Sequence, residues 1–321
     1  MKYKTILLAC LGIAALGASQ LARADAWPSR PITLLVPWAA GGSTDTIARI
    51  LGEDLSQRLK TTIVVENKPG AGGTIGSSLL ARSRPDGYTF MLGVSGDQVN
   101  AEFMYPSLNY SPSKDIAPVS SVAREAIIIA ANPKLSAGTA QDPLALARKQ
   151  ELTYATSGVG STGHLTGELL KQRAQLQLNA VPYKGNAPAI TDAIAGHVDL
   201  VIVSPAAVVE HIKSGSLKAL AVTSPGRIPQ LPDVPTLKES GYDVEVNTWY
   251  MMVAPAKTPE DIVRRMSEAV RASVGSPAVQ TRIAQLAALP QGSTPEELAA
   301  LLKSERAIWG KVIRDAKIST Q

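Results

Sequence analysis

The chain has 321 residues, 32 Lys and Arg against 27 Asp and Glu, and one cysteine. Its charges are dispersed with no block of one sign, which excludes the electrostatic footprint of a nucleic-acid or anionic-membrane binder. One cysteine excludes a disulfide framework, and three histidines at no ligand spacing (His164, His197 and His211) exclude a zinc cage.

Met1-Lys-Tyr-Lys4 is a basic start, Ile6 to Ala18 an apolar run, and Ala22-Arg-Ala24 a small-x-small cleavage site. That layout predicts a secretory signal peptide over residues 1–24, cut after Ala24 or, reading Ala24-Asp-Ala26, after Ala26. The apolar run is shorter than the about 20 residues of a membrane span. Leu7-Leu-Ala-Cys10 spells a lipoprotein box, but too few residues precede it to form a full apolar region. Cleavage leaves 297 or 295 residues without cysteine, enough for two domains with a large core. Loss of Lys2, Lys4 and Arg23 leaves 29 basic side chains against 27 acidic, a net charge of +2.

Next, Ile32-Thr-Leu-Leu-Val36 reads as a strand running into the loop Pro37-Trp-Ala-Ala-Gly-Gly-Ser-Thr-Asp45. Ile47, Leu51, Leu55 and Leu59 then recur every four residues, an amphipathic helix laid on a sheet. Strand Thr62 to Glu66 leads into a second loop, Asn67-Lys-Pro-Gly-Ala-Gly-Gly-Thr74, and a helix from Thr74 to Arg82. Pro85-Asp-Gly87 is a turn before strand Tyr88 to Leu92. This β-α-β-α-β order predicts a parallel sheet with right-handed crossovers, whose ligands sit beyond the carboxyl ends of the strands.

Ile116 to Val122 and Ala126 to Ala131 read as strands, and the alternation then restarts with a helix from Asp142-Pro143. Strand Leu152 to Ala155 enters a third loop, Thr156-Ser-Gly-Val-Gly-Ser-Thr-Gly163, and a helix from Ser161 to Arg173. Strands 180–182, 199–203 and 217–223 alternate with helices 187–195 and 206–213. The four prolines of Ser224 to Pro235 mark a surface connection, and a strand from Asn247 to Ala254 follows. Three closing helices each open with a hydroxyl N-cap and Pro at N1: Thr258-Pro259, Ser276-Pro277 and Thr294-Pro295. The last carries Leu298, Leu301, Leu302, Ile308, Trp309, Val312 and Ile313 on one stripe, which is packing and not chemistry.

The first turn of a helix has unpaired N–H groups and the positive end of the macrodipole. Glycine lets a ligand approach them, so each of the three loops is an anion cradle. Three cradles with no nucleophile or metal beside them point to a protein that holds carboxylates. The candidate donors are the backbone N–H groups of Gly41, Gly42, Gly72 and Gly73, with Ala71 beside them. Ser43 and Thr74 read as N-caps, whose side chains would compete with a ligand for those donors. Asp45 has two readings: an acid stabilising its own first turn, or a group that attracts a ligand ammonium or orders water. Tyr183 either contacts the ligand or is a half-buried tyrosine at a strand end. His164 lies in the first turn after the third loop, while His197 and His211 read as surface residues near helix ends. Ser204, between a strand and a helix, completes the set.

Enzymatic readings lack their residues. Gly158-Val-Gly-Ser-Thr-Gly163 spells G-x-G-x-x-G, but Tyr183 and Lys184 stand where a dinucleotide site needs an acid. Ser95 and Ser161 miss the G-x-S-x-G nucleophile elbow, because Asp97 and Val159 replace its glycines. No P-loop occurs.

Trp27-Pro-Ser-Arg-Pro-Ile32, Pro37 to Asp45, Val65-Glu-Asn-Lys-Pro-Gly-Ala-Gly-Gly73 and Pro85-Asp-Gly-Tyr88 resemble the Bug family (Bordetella uptake gene type). Its members are periplasmic substrate-binding proteins of tripartite tricarboxylate transporters. The likeness continues in order through Tyr154 to Leu165, Val181 to Gly185, Ala219 to Ser224, Leu231 to Thr236 and Ala254 to Pro259. It implies an α/β type II periplasmic binding fold, with two doubly wound lobes joined by crossing hinge strands. The expected lobes are 27–124 with 225–321, and 125–224. It implies further that the first two loops hold one ligand carboxylate, often through bridging waters, while Ser157, Ser161 and Tyr183 reach the rest. Trp38 stands where Phe or Tyr is usual, and the variable stretch Gly93 to Gln98 puts Ser95 and Asp97 where substrate choice is made. The expected protein is a monomeric, cofactor-free, metal-free periplasmic receptor and not an enzyme. It hands a dicarboxylate, tricarboxylate, aromatic acid or acidic amino acid to a two-component membrane permease. The same pocket would serve a sensor subunit that presents its ligand to a signalling receptor.

Overall fold

The computed structural model describes residues 27–136 and 143–319. The expected signal peptide, 1–24, and its cleavage points lie outside these residues.

Strands β1 (Ile32–Val36), β2 (Ile63–Asn67) and β3 (Thr89–Val94) are parallel, with β1 between the other two. The chain then adds what the alternation pattern did not express: long antiparallel strands β4 (Ile116–Ala126) and β10 (Asn247–Pro255). With the two-residue β11 (Leu289–Pro290), the first sheet runs β11-β4-β10-β3-β1-β2. The second sheet holds β5 (Ile128–Ala131), β6 (Leu152–Thr156), β7 (Leu178–Pro182), β8 (Leu200–Val203) and β9 (Lys218–Val222). Its order is β7-β6-β8-β5-β9; β6, β7 and β8 are parallel, and β5 runs against both β8 and β9.

The two sheets are joined where β4 passes into β5 at Ile127 and where the chain returns into β10. Thr223, 1% exposed, clasps both crossings. Its hydroxyl accepts from Ile127 N–H at 2.8 Å and donates to Val246 O at 2.7 Å. The first crossing lies within three residues of the expected boundary at 124, but the return does not fall at 225. Pro235 and Leu237 bond to Val222, Val246 bonds to Thr223, and Ile228 and Leu231 are buried in the second lobe's core. Residues 225–246 therefore pack with the second lobe, and the first resumes at Asn247. The proline-rich stretch is not a free surface connection; its apolar residues cover the β9 edge.

The helices follow from their apolar stripes. In α1 (Ser43–Leu59) the buried Ile47, Leu51 and Leu55 press on the first sheet, and Lys60 ends the helix in the left-handed region. Helices α2 (Thr74–Ala81), α3 (Thr162–Ala174), α4 (Asn186–Ala195) and α5 (Pro205–Lys213) connect the parallel strands. The helix expected from Asp142 is a single turn, Pro143–Leu146, with Asp142 itself outside the described residues.

At the C-terminus α6 (Glu260–Val274), α7 (Pro277–Ala284) and α8 (Pro295–Asp315) follow. Only Thr294 of the three expected hydroxyl caps acts as one, in a reciprocal capping box with Glu297. Thr258 and Ser276 instead donate backward, to Pro255 O and Ser273 O, because the preceding turns leave those carbonyls within reach. In α8, Leu298, Leu302, Trp309, Val312 and Ile313 are buried, with Leu301 and Ile308 packed beside them. One cluster of core residues spans both lobes, from Leu35 and Met91 to Tyr154 and Ile202.

Gly163 illustrates how tightly α3 lies on its sheet. A Cβ there would sit 2.0 Å from the backbone oxygen of Ile202, and backbone cannot step aside. Gly163→Ala is expected to destabilise the protein by about 1–3 kcal/mol, seen as a lower Tm in thermal denaturation. Gly226→Ala, where a Cβ meets nothing within 4 Å, is expected to leave Tm unchanged.

Candidate functional site

All three glycine loops lie at the carboxyl ends of parallel strands, and their hydrogen bonding gives them different characters. The first runs from Val36 to α1. Asn67, at the end of β2, holds it by donating to Trp38 O and to Asp45 Oδ1, both at 3.0 Å. Asp45 Oδ2 accepts from Gly41 N–H at 2.9 Å and from Arg49 Nε at 3.0 Å. Burial alone would raise this carboxyl, but the hydrogen bonds from Arg49, Gly41 and Asn67 outweigh it and hold Asp45 below the usual carboxylate range. Asp45 latches the loop onto β2 and α1. Asn67, quoted in the sequence only as part of a loop, is the other half of the latch.

The expected caps are absent. The N-cap of α1 is Gly42 and that of α2 is Gly73, neither with a side-chain bond to the helix. Ser43 is already the first helical residue, with its hydroxyl near Tyr250, and the Thr74 hydroxyl donates to Ala71 O at 2.8 Å. A glycine cap has no oxygen to cover the first-turn N–H groups, so both helix starts remain open to an anion. Among the predicted donors, Gly41 N–H is bound to Asp45 and Gly73 N–H to Gly70 O at 3.0 Å. Gly42 N–H lies 3.4 Å from Ala39 O, and among the described residues the N–H groups of Ala71 and Gly72 make no backbone hydrogen bond.

The second loop turns through four consecutive positive-φ residues, Gly70, Ala71, Gly72 and Gly73. Its floor is Asp97: a Cβ on Gly73 would lie 2.7 Å from that of Asp97. Asp97 Oδ1 accepts from Val94 N–H at 3.0 Å and Trp38 Nε1 at 3.2 Å; Oδ2 accepts from Gln98 Nε2 at 2.6 Å. Burial pushes this carboxyl up to about 6 in spite of those donors. Asp97 thus joins the first loop, through Trp38, to the second. Ser95 is 2% exposed, and its oxygen accepts from Trp249 N–H at 2.9 Å.

The third loop is self-contained. Ser161 caps α3 by accepting from His164 N–H at 3.2 Å, and Gly160 N–H donates to His164 Nδ1 at 3.0 Å. Burial lowers His164, whose ring tilts against Tyr154. Tyr183 donates to Asp192 at 2.6 Å, and that carboxylate pushes its phenol up to about 12. Ser204 is the N-cap of α5, with no side-chain cap bond.

A cavity of 350 Å³ separates the lobes. Of the sequence candidates, Trp38, Gly72, Ser157 and Ser161 line it; Gly41, Gly42, Ser43 and Asp45 lie beyond Trp38 at the α1 start. The rest of its wall is Val94, Gly96, Met104, Tyr105, Gly158, Val159, Gly160 and Thr162, none carrying a charge. The lobes touch across it: Thr248 Oγ1 donates to Thr162 Oγ1 at 3.0 Å, and Met104 packs against Gly160. Among the described residues no cluster fits a metal ion, and no helix is long and apolar enough to cross a membrane.

Two α/β lobes on crossing strands, with residues of all three glycine loops lining the cavity between them, define a solute-binding protein of the periplasmic type. The family model described as tripartite tricarboxylate transporter family receptor matches residues 47–318, and the chain belongs to that family. It is 36% identical over 317 residues to Protein BugT of Bordetella pertussis, covering 97% of each chain. An R. palustris protein solved with adipate has 34% identity and a TM-score of 0.78, over 92% of this chain and all (100%) of that one. MatC from Rhodopseudomonas palustris with bound malate has 32% identity and a TM-score of 0.73, over 89% of this chain and 100% of that one. The family consists of periplasmic solute-binding proteins, not enzymes.

Because the latch holds its carboxylate in the ionised form, its contribution is present above the ordinary carboxylate pKa and is lost as pH falls through the lower folded value. Asp45→Asn is expected to cost about 1–2 kcal/mol in urea unfolding at pH 7. The difference from wild type should close below about pH 4; a gap that persists there would exclude the ionised latch.

Proposed function

We propose that the protein captures a small carboxylate between its lobes in the periplasm and delivers it to a two-component membrane permease. The observation that carries this reading is the pair of glycine-capped helix starts, at Gly42 and Gly73, beside the inter-lobe cavity. Their N–H groups and dipoles supply positive potential where no side chain supplies a cation. Adipate in one relative and malate in another support the same ligand class. The wall of Trp38, Val94, Met104, Tyr105 and Val159 favours a ligand whose carboxylate is joined to an apolar body, an alkyl dicarboxylate or aromatic acid, over a tricarboxylate. The protein is exported by its N-terminal signal segment and acts as a monomer, the lobes closing by motion at the crossings beside Thr223.

Isothermal titration with adipate, benzoate, malate, citrate and glutamate tests the reading. Binding of at least one, with a more compact small-angle scattering profile, is expected; no binding to any at millimolar concentration would remove the carboxylate assignment. Gly42→Val probes the α1 start directly. Gly42 has φ −77°, and a Cβ there meets nothing closer than 3.5 Å, so Tm should hold while ligand affinity drops more than a hundredfold. Unchanged affinity would move the site away from α1.

A further inference from the structure

Glu125 is a carboxyl that neither the latch nor the cavity wall has used. It lies near the end of β4, directly opposite Thr248 of β10, and is 4% exposed. Opposed residues of an antiparallel pair share a face with Cβ atoms about 5 Å apart. Thr248 reaches the cavity-lining Thr162, which places Glu125 beside the seam between the lobes. Its Oε2 accepts from the Tyr250 hydroxyl at 2.7 Å, and that hydroxyl also meets Ser43, the first residue of α1. Its Oε1 is buried and has no partner. The carboxyl therefore stands directly behind the open start of a 17-residue helix, with one oxygen unclaimed.

We propose that Glu125 takes up a proton when a carboxylate binds at the α1 start, and that its protonated oxygen then donates to that ligand. This rests on the carboxylate reading of the cleft. Two carboxylates sharing a poorly hydrated space cannot both stay ionised, and the one without a cation is the one that protonates. Glu125 has none. On β10 the titratable group facing it is Tyr250, a donor. On α1, Asp45 is held ionised by Arg49 and Asn67. Its neighbour Arg124 lies on the opposite face of β4 by strand alternation. Burial already pushes Glu125 up to about 7 against the hydrogen bond from Tyr250, so the free protein is poised to accept the proton near neutral pH. The proton comes from solvent, and no covalent bond of the ligand changes. Binding weakens as pH rises, because above the free-state midpoint each capture requires a protonation.

Calorimetric titration of the intact protein with adipate, benzoate and malate tests this, from pH 6 to 8.5 in buffers of different ionisation enthalpy. Wild type should take up close to one proton per ligand at pH 8 and lose about tenfold in affinity per pH unit above 7. Glu125→Gln keeps a neutral donor, so its uptake should fall by most of a proton and its affinity should stay flat from pH 7 to 8.5. Tyr250→Phe, which strips the donor from the ionised form, should shift the midpoint upward, so that the fall begins at higher pH and more of the affinity survives at pH 8 than in wild type. Asp86→Asn, at an exposed carboxylate paired with Arg30 away from the cleft, should retain the Glu125-dependent uptake. A pH-independent wild-type affinity without uptake would overturn the proposal while leaving the carboxylate reading intact. So would uptake in Glu125→Gln equal to wild type, or loss of binding in a Glu125→Gln protein that is still folded by circular dichroism. Failure of every carboxylate to bind at every pH would remove both.

Discussion

Asp45 places a carboxylate inside a loop built to attract carboxylates, and the rest of the cleft depends on that arrangement. Its Oδ2 takes the Gly41 N–H and an Arg49 nitrogen, and its Oδ1 takes Asn67. With these bonds made, the loop cannot collapse onto its own helix start, and Gly42 is left as a cap with no side chain. A serine or aspartate at Gly42 would stabilise α1 by only about 0.3 kcal/mol, but its side-chain oxygen would cover the first-turn donors that glycine leaves open. Function is built on a local deficit of helix capping, and a charged latch one turn away offsets it.

Asp97 extends the same logic to the second loop. Its two oxygens gather Trp38, Val94 and Gln98, and its Cβ supports Gly73. Trp38 is thereby fixed as a wall of the cavity by an indole bond and not by packing alone. Across the cavity, the third loop satisfies itself through Ser161 and His164, so it meets the first lobe as a preformed surface. One face holds open donors and the other rigid hydroxyls and glycines. The two crossing strands are coupled, since Thr223 ties both through a single side chain.

The order of elements was legible from the sequence because strands such as Ile32 to Val36 and stripes such as Ile47, Leu51 and Leu55 carry their own periodicity. So was the position of the glycine loops at strand ends. What escaped was set by contacts between distant segments. The direction of the Thr258 and Ser276 hydroxyls depends on which carbonyl the preceding turn presents. Ser224 to Pro235 reads as a surface connection because of its four prolines, although Ile228 and Leu231 are core. That Ser95 would accept from the Trp249 N–H could not be read locally, because that partner is 154 residues away on β10. Glu125 gave no signal at all, since its partner Tyr250 is 125 residues away and only an antiparallel register joins them.

These observations converge on how a wall without charged side chains manages an anionic guest. A lysine or arginine in the cavity would bind carboxylates strongly, but it would also sit desolvated whenever the cleft closed empty. Helix dipoles carry no such penalty, because their N–H groups cost less to leave dry than an ammonium. The acids beside the cleft follow from the same economy: Asp97 and Glu125 are buried without cations and are pushed toward neutrality, to about 6 and about 7. Asp97, under three donors, stays mostly ionised at neutral pH, whereas Glu125 is balanced near half protonation and can shed its charge at little cost. An anion entering this cavity meets no charged side chain in its wall, so what favours it there has to come from backbone groups and helix starts.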